Sequence, residues 1–270
     1  MKIGALISTM NKTKKELDTL IKNMKVKKTV VINQITKDNI QLTNESDNQK
    51  KIISVREKGL SKSRNLAIKN SDSDICIIAD DDLYYEKDYT ETITNAYQKY
   101  KNADIIAFVV DNEDIKSKKP IFKESRVSYL KSMKLQSVQL TFKRKSIIEN
   151  NIKFDELYGA GSKYYWGEEN IFLFDCLRKK LKIYYIPQKI ATLKISESSW
   201  DKSISRKNSK IRGIIFYRMT KVFYPILIIQ FAFRKRKKYI KEMSAINNIK
   251  YMFEGVKEYK EQEKKWRNYF

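Results

Sequence analysis

Histidine is missing from all 270 residues. No imidazole can therefore act as general base, metal ligand or relay to a nucleophilic serine. The two cysteines, Cys76 and Cys176, lack the close spacing of a zinc pair. Each sits in an apolar stretch and reads as a buried, reduced thiol, which excludes a disulfide framework. Long apolar runs are lacking too. The longest largely apolar stretch, residues 222–233, holds twelve residues, whereas a membrane-crossing helix needs about twenty. The apolar start at residues 3–7 is short and has no cleavage region, so it is expected to be a first strand and not a secretory signal. No glycine-rich phosphate loop and no nucleic-acid-binding motif is visible. With imidazole absent, proton abstraction falls to a carboxylate, or to Lys or Tyr.

Negative charge is also scarce: 32 Asp and Glu face 56 Lys and Arg, for a net charge of +24. Such an excess raises nucleic acid or an anionic membrane as partners. Hydrophobic residues at 41% and aromatics at 12% exclude global disorder. The length suits one α/β domain with an appendage.

The acidic residues that do occur are clustered. Asp80-Asp81-Asp82 follows directly on the apolar run 75–79, which reads as a buried strand. Three adjacent carboxylates repel one another unless a cation absorbs the charge. Asp80 and Asp82 flank one residue, so in an extended or turn conformation they can share a divalent ion, and oxygen-only ligation suits Mg²⁺ or Mn²⁺ bridging substrate phosphates. An acidic turn capping the next helix is the alternative. Upstream, Gly59 punctuates the chain and Ser61 is the expected N-cap of a helix carrying Lys62, Arg64 and Asn65. Free N–H groups with these cations and Lys58 make an expected anion site.

Arg64-Asn65, the segment Ser71-Asp72-Ser73-Asp74, the apolar strand and the Asp triplet occur in an order that resembles glycosyltransferase family 2. The resemblance spans about residues 1–195. It implies a GT-A fold: a Rossmann-like, mainly parallel mixed sheet flanked by helices. It further implies a nucleotide-diphosphate sugar donor, a UDP-sugar being favoured, held through Mn²⁺ or Mg²⁺. On this resemblance Asp80 and Asp82 contact the metal, with Asp82 the direct ligand. Arg64 and Asp81 contact the nucleotide, and Ser8, Thr9 and Gln34 line the base pocket.

A second acidic pair, Glu168-Glu169, follows Trp166-Gly167 and precedes a helical pattern ending in Arg178 and Lys179. Acidic residues in a first turn suit the helix dipole and need no other role. The pair also matches the Glu-Asp motif of inverting family members, which implies that Glu169 deprotonates the acceptor hydroxyl while Glu168 orients the sugar or that base. Related segments ending in Asn occur in retaining enzymes, so inversion is expected and retention is the alternative. Trp166 either stacks on a sugar ring or packs in the core. With Gly167 and Gly161, it is expected on the sugar or acceptor side.

Strands are expected at 3–8, 29–33, 52–55, from 74 and at 104–110, alternating with helices at 14–24, from 61 and at 89–100. The pattern predicts a parallel sheet whose ligands bind at the strands' carboxyl ends. Residues 116–120 read as a charged loop and 127–141 as a hairpin or meander.

The expected division is a catalytic domain at 1–195, its nucleotide-sugar half about 1–110 and its acceptor half about 111–195, followed by a helical, basic and apolar extension at 196–270. That extension holds nineteen Lys and Arg against seven Asp and Glu. Phe223, Tyr224, Ile228 and Phe231 are expected to enter a headgroup boundary. Arg234, Lys235, Arg236, Lys237 and Lys238 are expected to meet anionic lipid. The expected location is cytoplasmic, peripheral on the inner face of the cell membrane. The basic residues lie beside an apolar segment and not in an aromatic-interleaved stripe, so no nucleic acid is expected, and a basic nucleic-acid binder remains the alternative from another class. The acceptor implied by the family is a glycan or lipid-linked glycan in surface polysaccharide synthesis.

Overall fold

Runs of branched apolar residues without polar alternation must be covered on both faces, which favours parallel strands under helices. β1 (Ile3–Met10) is such a run. The chain continues through α1 (Lys14–Met24), β2 (Thr29–Gln34), β3 (Asn44–Ser46), β4 (Lys50–Val55), α2 (Leu60–Asn70) and β5 (Ile75–Asp80). It proceeds through β6 (Leu83–Tyr85), α3 (Tyr89–Lys99), β7 (Ile105–Asn112), β8 (Ser125–Arg126), α4 (Tyr129–Ser132), β9 (Leu140–Lys143) and α5 (Arg144–Glu149). α6 (Glu168–Arg178), β10 (Ile183–Leu193), α7 (Arg206–Met219), α8 (Tyr224–Arg234) and α9 (Ala245–Tyr269) complete it. This computed structural model describes residues 1–112, 121–194, 205–239 and 242–269, the side chains of Lys238 and of 265–269 excepted. It falls into two compact units, Met1–Glu197 and Ser198–Phe270. The expected boundary at 195/196 and the expected charged loop at 116–120 lie outside the described residues.

In the first unit the strand order is β3-β4-β2-β1-β5-β9-β7-β10-β6, with β8 pairing β10. β4, β2, β1 and β5 are mutually parallel, and β7 is parallel to β10. β9 runs antiparallel between β5 and β7. The result is a mixed, mostly parallel sheet, as the resemblance implies. Alternation splits the core cleanly. Ile75, Ile77 and Ala79 join one buried cluster with Leu17 and Ile93, while Cys76 and Ile78 join the other with Ala67 and Phe172. Both cysteines are buried and free, and burial pushes the Cys76 thiol up to about 11. The register sets Ser8 beside Asp80 and Thr9 beside Asn33, bringing the carboxyl ends of β1, β2 and β5 to one edge.

One sequence expectation fails here for a physical reason, and one strand is not foreseen. Residues 127–141 form no hairpin: α4, a 3₁₀ turn at Ser137–Gln139 and the start of β9 take their place. Val127, Leu135 and Leu140 bury in the sheet's second cluster instead of pairing with one another. The sequence pattern also gives no sign of β10, since Pro187, Gln188 and Lys189 interrupt its apolar run. A register shift between Tyr185 and Lys189 absorbs that interruption.

The second unit is helical. α7 and α9 cross closely enough that a Cβ on Gly213 would lie 2.0 Å from the Met252 carbonyl oxygen, and one on Gly255 would lie 2.3 Å from that of Lys210. Overpacking costs about 1–3 kcal/mol, and alanine's better helix propensity returns only about 1 kcal/mol. The obstacle at Gly213 is backbone that cannot rotate away. Gly213→Ala is therefore expected to lower stability by about 2 kcal/mol net, read as a lower midpoint in urea unfolding.

α8 presents an unusual distribution. Leu227, Ile228 and Ala232 are buried, Phe231 packs on Phe216 and under Arg212, and Tyr224 packs against Tyr217 and Phe253. The expectation that Tyr224, Ile228 and Phe231 form an outer apolar face is thus corrected, because the helical period turns them toward α7 and α9. Phe223, Arg234, Arg236 and Lys237 are exposed and Lys235 is half-buried. The Lys238 side chain lies outside the described residues. Among the described residues no helix is long and apolar enough to cross a membrane.

Candidate active site

The N-cap of α2 lies two residues earlier than its sequence suggests. Gly59 takes the N-cap position, and Ser61 lies inside the first turn, buried, its hydroxyl donating to the Tyr158 carbonyl at 2.7 Å. The Leu60 N–H donates to the Ala160 carbonyl, and Lys62 pairs with Glu57 at 2.9 Å. The expected anion site at this helix start is therefore largely taken up by the loop at 157–162. Gln34 is also redirected. Its buried amide donates to the Gly59 carbonyl at 3.0 Å and accepts from the Gly59 N–H at 3.2 Å. It fixes the β4–α2 turn. Ser8 is likewise buried and accepts a hydrogen bond from Ser63.

Strand alternation aims Asp80 at the face covered by α2, and Arg64 meets it there. The guanidinium is 1% exposed and has three partners: Glu168 Oε1 at 2.9 Å, Asp80 Oδ1 at 3.2 Å and Ser137 Oγ at 2.9 Å. It also lies 5.4 Å from the centroid of Phe154. Burial works against its charge, yet Asp80, Glu168 and Glu169 carry its pKa above the ordinary value. Arg64 thus touches carboxylates where the resemblance implies a nucleotide. It ties the end of β5 to the first turn of α6.

The triplet does not continue as a strand, so its three carboxylates diverge. Asp81 accepts from the Thr9 hydroxyl at 2.6 Å and lies 3.6 Å from Lys12 Nζ. Asp82 accepts the Lys194 N–H on its backbone carbonyl at 2.7 Å. With Lys12, Asp81, Tyr84 and Lys194, it lines a cleft of about 400 Å³ between α1 and β6. Alternation does not align Asp80 with Asp82, because the strand ends at Asp80. Among the described residues no group of three metal-ligating side chains is gathered. The donor chemistry still fits a hard divalent cation that takes one or two carboxylates and completes its shell from phosphate.

At the other end of Arg64, α6 opens at Gly167 with φ +87°, a backbone that favours glycine. Glu168 and Glu169 occupy its first turn. They differ sharply in environment. Glu168 is 3% exposed and locked on Arg64. Glu169 is half-buried, accepts from the Asn170 side chain at 3.1 Å, and has its pKa pushed up to about 8, first by burial and then by the charge of Glu168. A carboxylate so poised suits proton abstraction near neutral pH. Gly159 passes so close to Glu168 that a Cβ would meet its carboxyl carbon at 3.2 Å. Gly161 lies in the exposed part of the same loop, and Trp166 is half-buried with its ring 5.5 Å from that of Tyr165.

Sequence reasoning missed Lys12, Lys194 and Ser137. Lys12 follows a strand's carboxyl end, the position where ligands gather in such sheets, and that signal could have found it. Ser137 and Lys194 belong to segments whose structure the sequence pattern did not reveal.

The family model described as "Glycosyl transferase family 2" matches residues 13–157. No curated protein matches the sequence. Among solved structures, the chain is similar to S. aureus TarS 1-349 in complex with UDP-GlcNAc, at 15% identity and a TM-score of 0.58, over 90% of this chain and 74% of that one. S. aureus TarS 1-349 in complex with UDP gives 15% identity, a TM-score of 0.58, and 90% and 76% coverage. S. aureus TarS itself gives 14% identity, a TM-score of 0.59, and 92% and 45% coverage.

Proposed function

The chain belongs to glycosyl transferase family 2, and from that premise we propose that it moves a sugar, with inversion, from a nucleotide-diphosphate sugar to a glycan hydroxyl. The observation that carries this reading is the buried Arg64, which holds Asp80 and Glu168 on one guanidinium. It couples an acidic strand end to a helix start bearing a carboxylate of raised pKa.

Asp81, Asp82, Lys12 and Lys194 form an edge of mixed charge suited to a diphosphate with its counter-cation. Asp82, with Asp81 beside it in that cleft, would hold Mn²⁺ or Mg²⁺, which when bound neutralises charge on the departing nucleoside diphosphate. Glu169 accepts the acceptor's hydroxyl proton as its oxygen attacks the anomeric carbon opposite the leaving group. Glu168 stays ion-paired and fixes the first turn of α6, so the base sits where packing and Arg64 put it. Trp166 offers an aromatic face to the sugar or acceptor. TarS was solved with UDP-GlcNAc, which makes that the first donor to try. A lipid-linked glycan of surface polysaccharide is the acceptor class to test once the donor is known.

Thermal stabilisation tests this. The protein is heated with nucleoside diphosphates and nucleotide sugars, with and without Mn²⁺ or Mg²⁺. A ligand that binds only the folded state stabilises it by RT ln(1 + [L]/Kd). One nucleotide is expected to raise Tm in a cation-dependent way, and Asp82→Ala is expected to abolish the cation-dependent part. A panel without any shift, together with tight salt-sensitive binding of RNA or DNA, would sink the transferase reading.

A further inference from the structure

Most surface helices turn their apolar side inward. α8 has an apolar inward side and, in addition, an apolar outward one. Phe223, Ile226, Ile229 and Phe233 recur at spacings of three and four, so they share one stripe on the helix. With Val222 just before them, these residues are between 47% and 75% exposed. Gln230 and Arg234 share that outward side. The stripe is contiguous, and contiguous exposed apolar surface marks a site of contact. At its C-terminal end the chain runs straight into Arg234, Lys235, Arg236 and Lys237, which continue as a 3₁₀ turn. Arg234, Arg236 and Lys237 are exposed, and no ion pair engages them among the described residues.

We infer that this face of α8 lies on an anionic lipid bilayer, with Phe223, Ile226, Ile229 and Phe233 in the headgroup–acyl boundary and Arg234, Arg236 and Lys237 on the lipid phosphates. Two properties together select this occupant. An apolar stripe alone would suit a second copy of the chain equally well. A second copy, however, would bring a like-charged cluster with it, in a chain of net charge +24. An anionic membrane surface complements both the apolar row and the cations beside it. α8 has eleven residues, too few to cross the bilayer, so it lies flat along the surface. The outward set differs from the one that hydropathy alone picks out. Ile228 is buried, and Tyr224 and Phe231 pack on their own helical neighbours. Val222, Ile226, Ile229 and Phe233 replace them.

The inference goes beyond sugar transfer, and its test needs no nucleotide or acceptor. The full chain is sedimented with vesicles of phosphatidylcholine and with vesicles that also contain phosphatidylglycerol. Binding is expected on the anionic vesicles only, falling by about tenfold or more as ionic strength rises past the point where surface charges are screened. The variant Ile226→Gln/Ile229→Gln/Phe233→Gln should keep the wild-type Tm, because these side chains are exposed, and should lose about tenfold or more in binding. Arg234→Gln/Arg236→Gln/Lys237→Gln should lose the preference for anionic vesicles. No vesicle binding by the wild type would overturn the inference. So would binding that neither variant weakens. A wild-type dimer in light scattering that the first variant converts to monomer would also overturn it, assigning the stripe to a second copy of the chain.

Discussion

Glu169→Gln is expected to lower kcat by about 10²- to 10⁴-fold, the range that a positioned general base contributes. Affinity for the donor, read from thermal stabilisation, should stay close to wild type. Glutamine preserves the shape and the hydrogen bond from Asn170 but cannot take a proton. Glu168→Gln is the comparison: it weakens the pair with Arg64 while leaving Glu169 able to accept a proton. If Glu169→Gln retains activity within about tenfold of wild type, far less than a base contributes, the role assigned to Glu169 is wrong.

The raised pKa of Glu169 gives a second readout with a definite sign. At about 8 in the folded protein, against 4.5 for an ordinary glutamate, the native state binds this proton more tightly than the unfolded chain does. The stability linked to that proton is fully present below about pH 4.5 and is lost as pH rises through about 8. Catalysis runs the other way, because only the ionised base accepts a proton. The profile of kcat/KM, which reports the free enzyme, should rise with pH toward about 8 and then level. Glu169→Gln should flatten the linked change in stability and become more stable relative to wild type above that pH.

Much of this arrangement is legible in the amino-acid sequence, and the rest depends on contacts between segments far apart in the chain. The apolar runs at β1, β2 and β5 have no competing interpretation, since unbroken branched residues need cover on both faces. The acidic triplet and the Glu168-Glu169 pair announce themselves by charge in a chain otherwise short of it. The partners of these residues cannot be read the same way. Gln34 sits at a strand end, where a ligand contact is the natural expectation. Its bonds go to Gly59, and only the path of the β4–α2 turn reveals that. Arg64 follows a helix start rich in cations, which reads as an anion site. Whether its anion is a phosphate or two carboxylates depends on Glu168, more than a hundred positions away in the chain. On α8, hydropathy identifies an apolar segment but cannot divide it into an inward and an outward face without its neighbours. Strands such as β10, β6 and β8 carry weak local pattern, because pairing partners and not their own alternation define them.

Replacing Arg64 should have the second large effect, on stability first and on activity through it. Arg64→Met keeps the length and apolar stem of the side chain but leaves Glu168, 3% exposed, without its counter-charge. Removing one partner of a buried ion pair costs about 3–5 kcal/mol, because the remaining charge stays desolvated. Arg64→Lys restores a charge but not the fork that reaches Glu168, Asp80 and Ser137 together. It should therefore fall between wild type and methionine in urea unfolding. The double variant Arg64→Met/Glu168→Leu removes both buried charges and should regain most of the stability, as apolar replacements of buried ion pairs do. The same double variant separates packing from chemistry. If Arg64 only held the fold together, restored stability would restore activity. If Arg64 also positions Asp80 and the first turn of α6, and lowers the pKa of Glu169 by its charge, the refolded variant should remain slow. Its kcat/KM profile should then rise at a lower pH than that of the wild type, because the Glu168 charge that raises the Glu169 pKa is lost together with the smaller, opposing effect of Arg64.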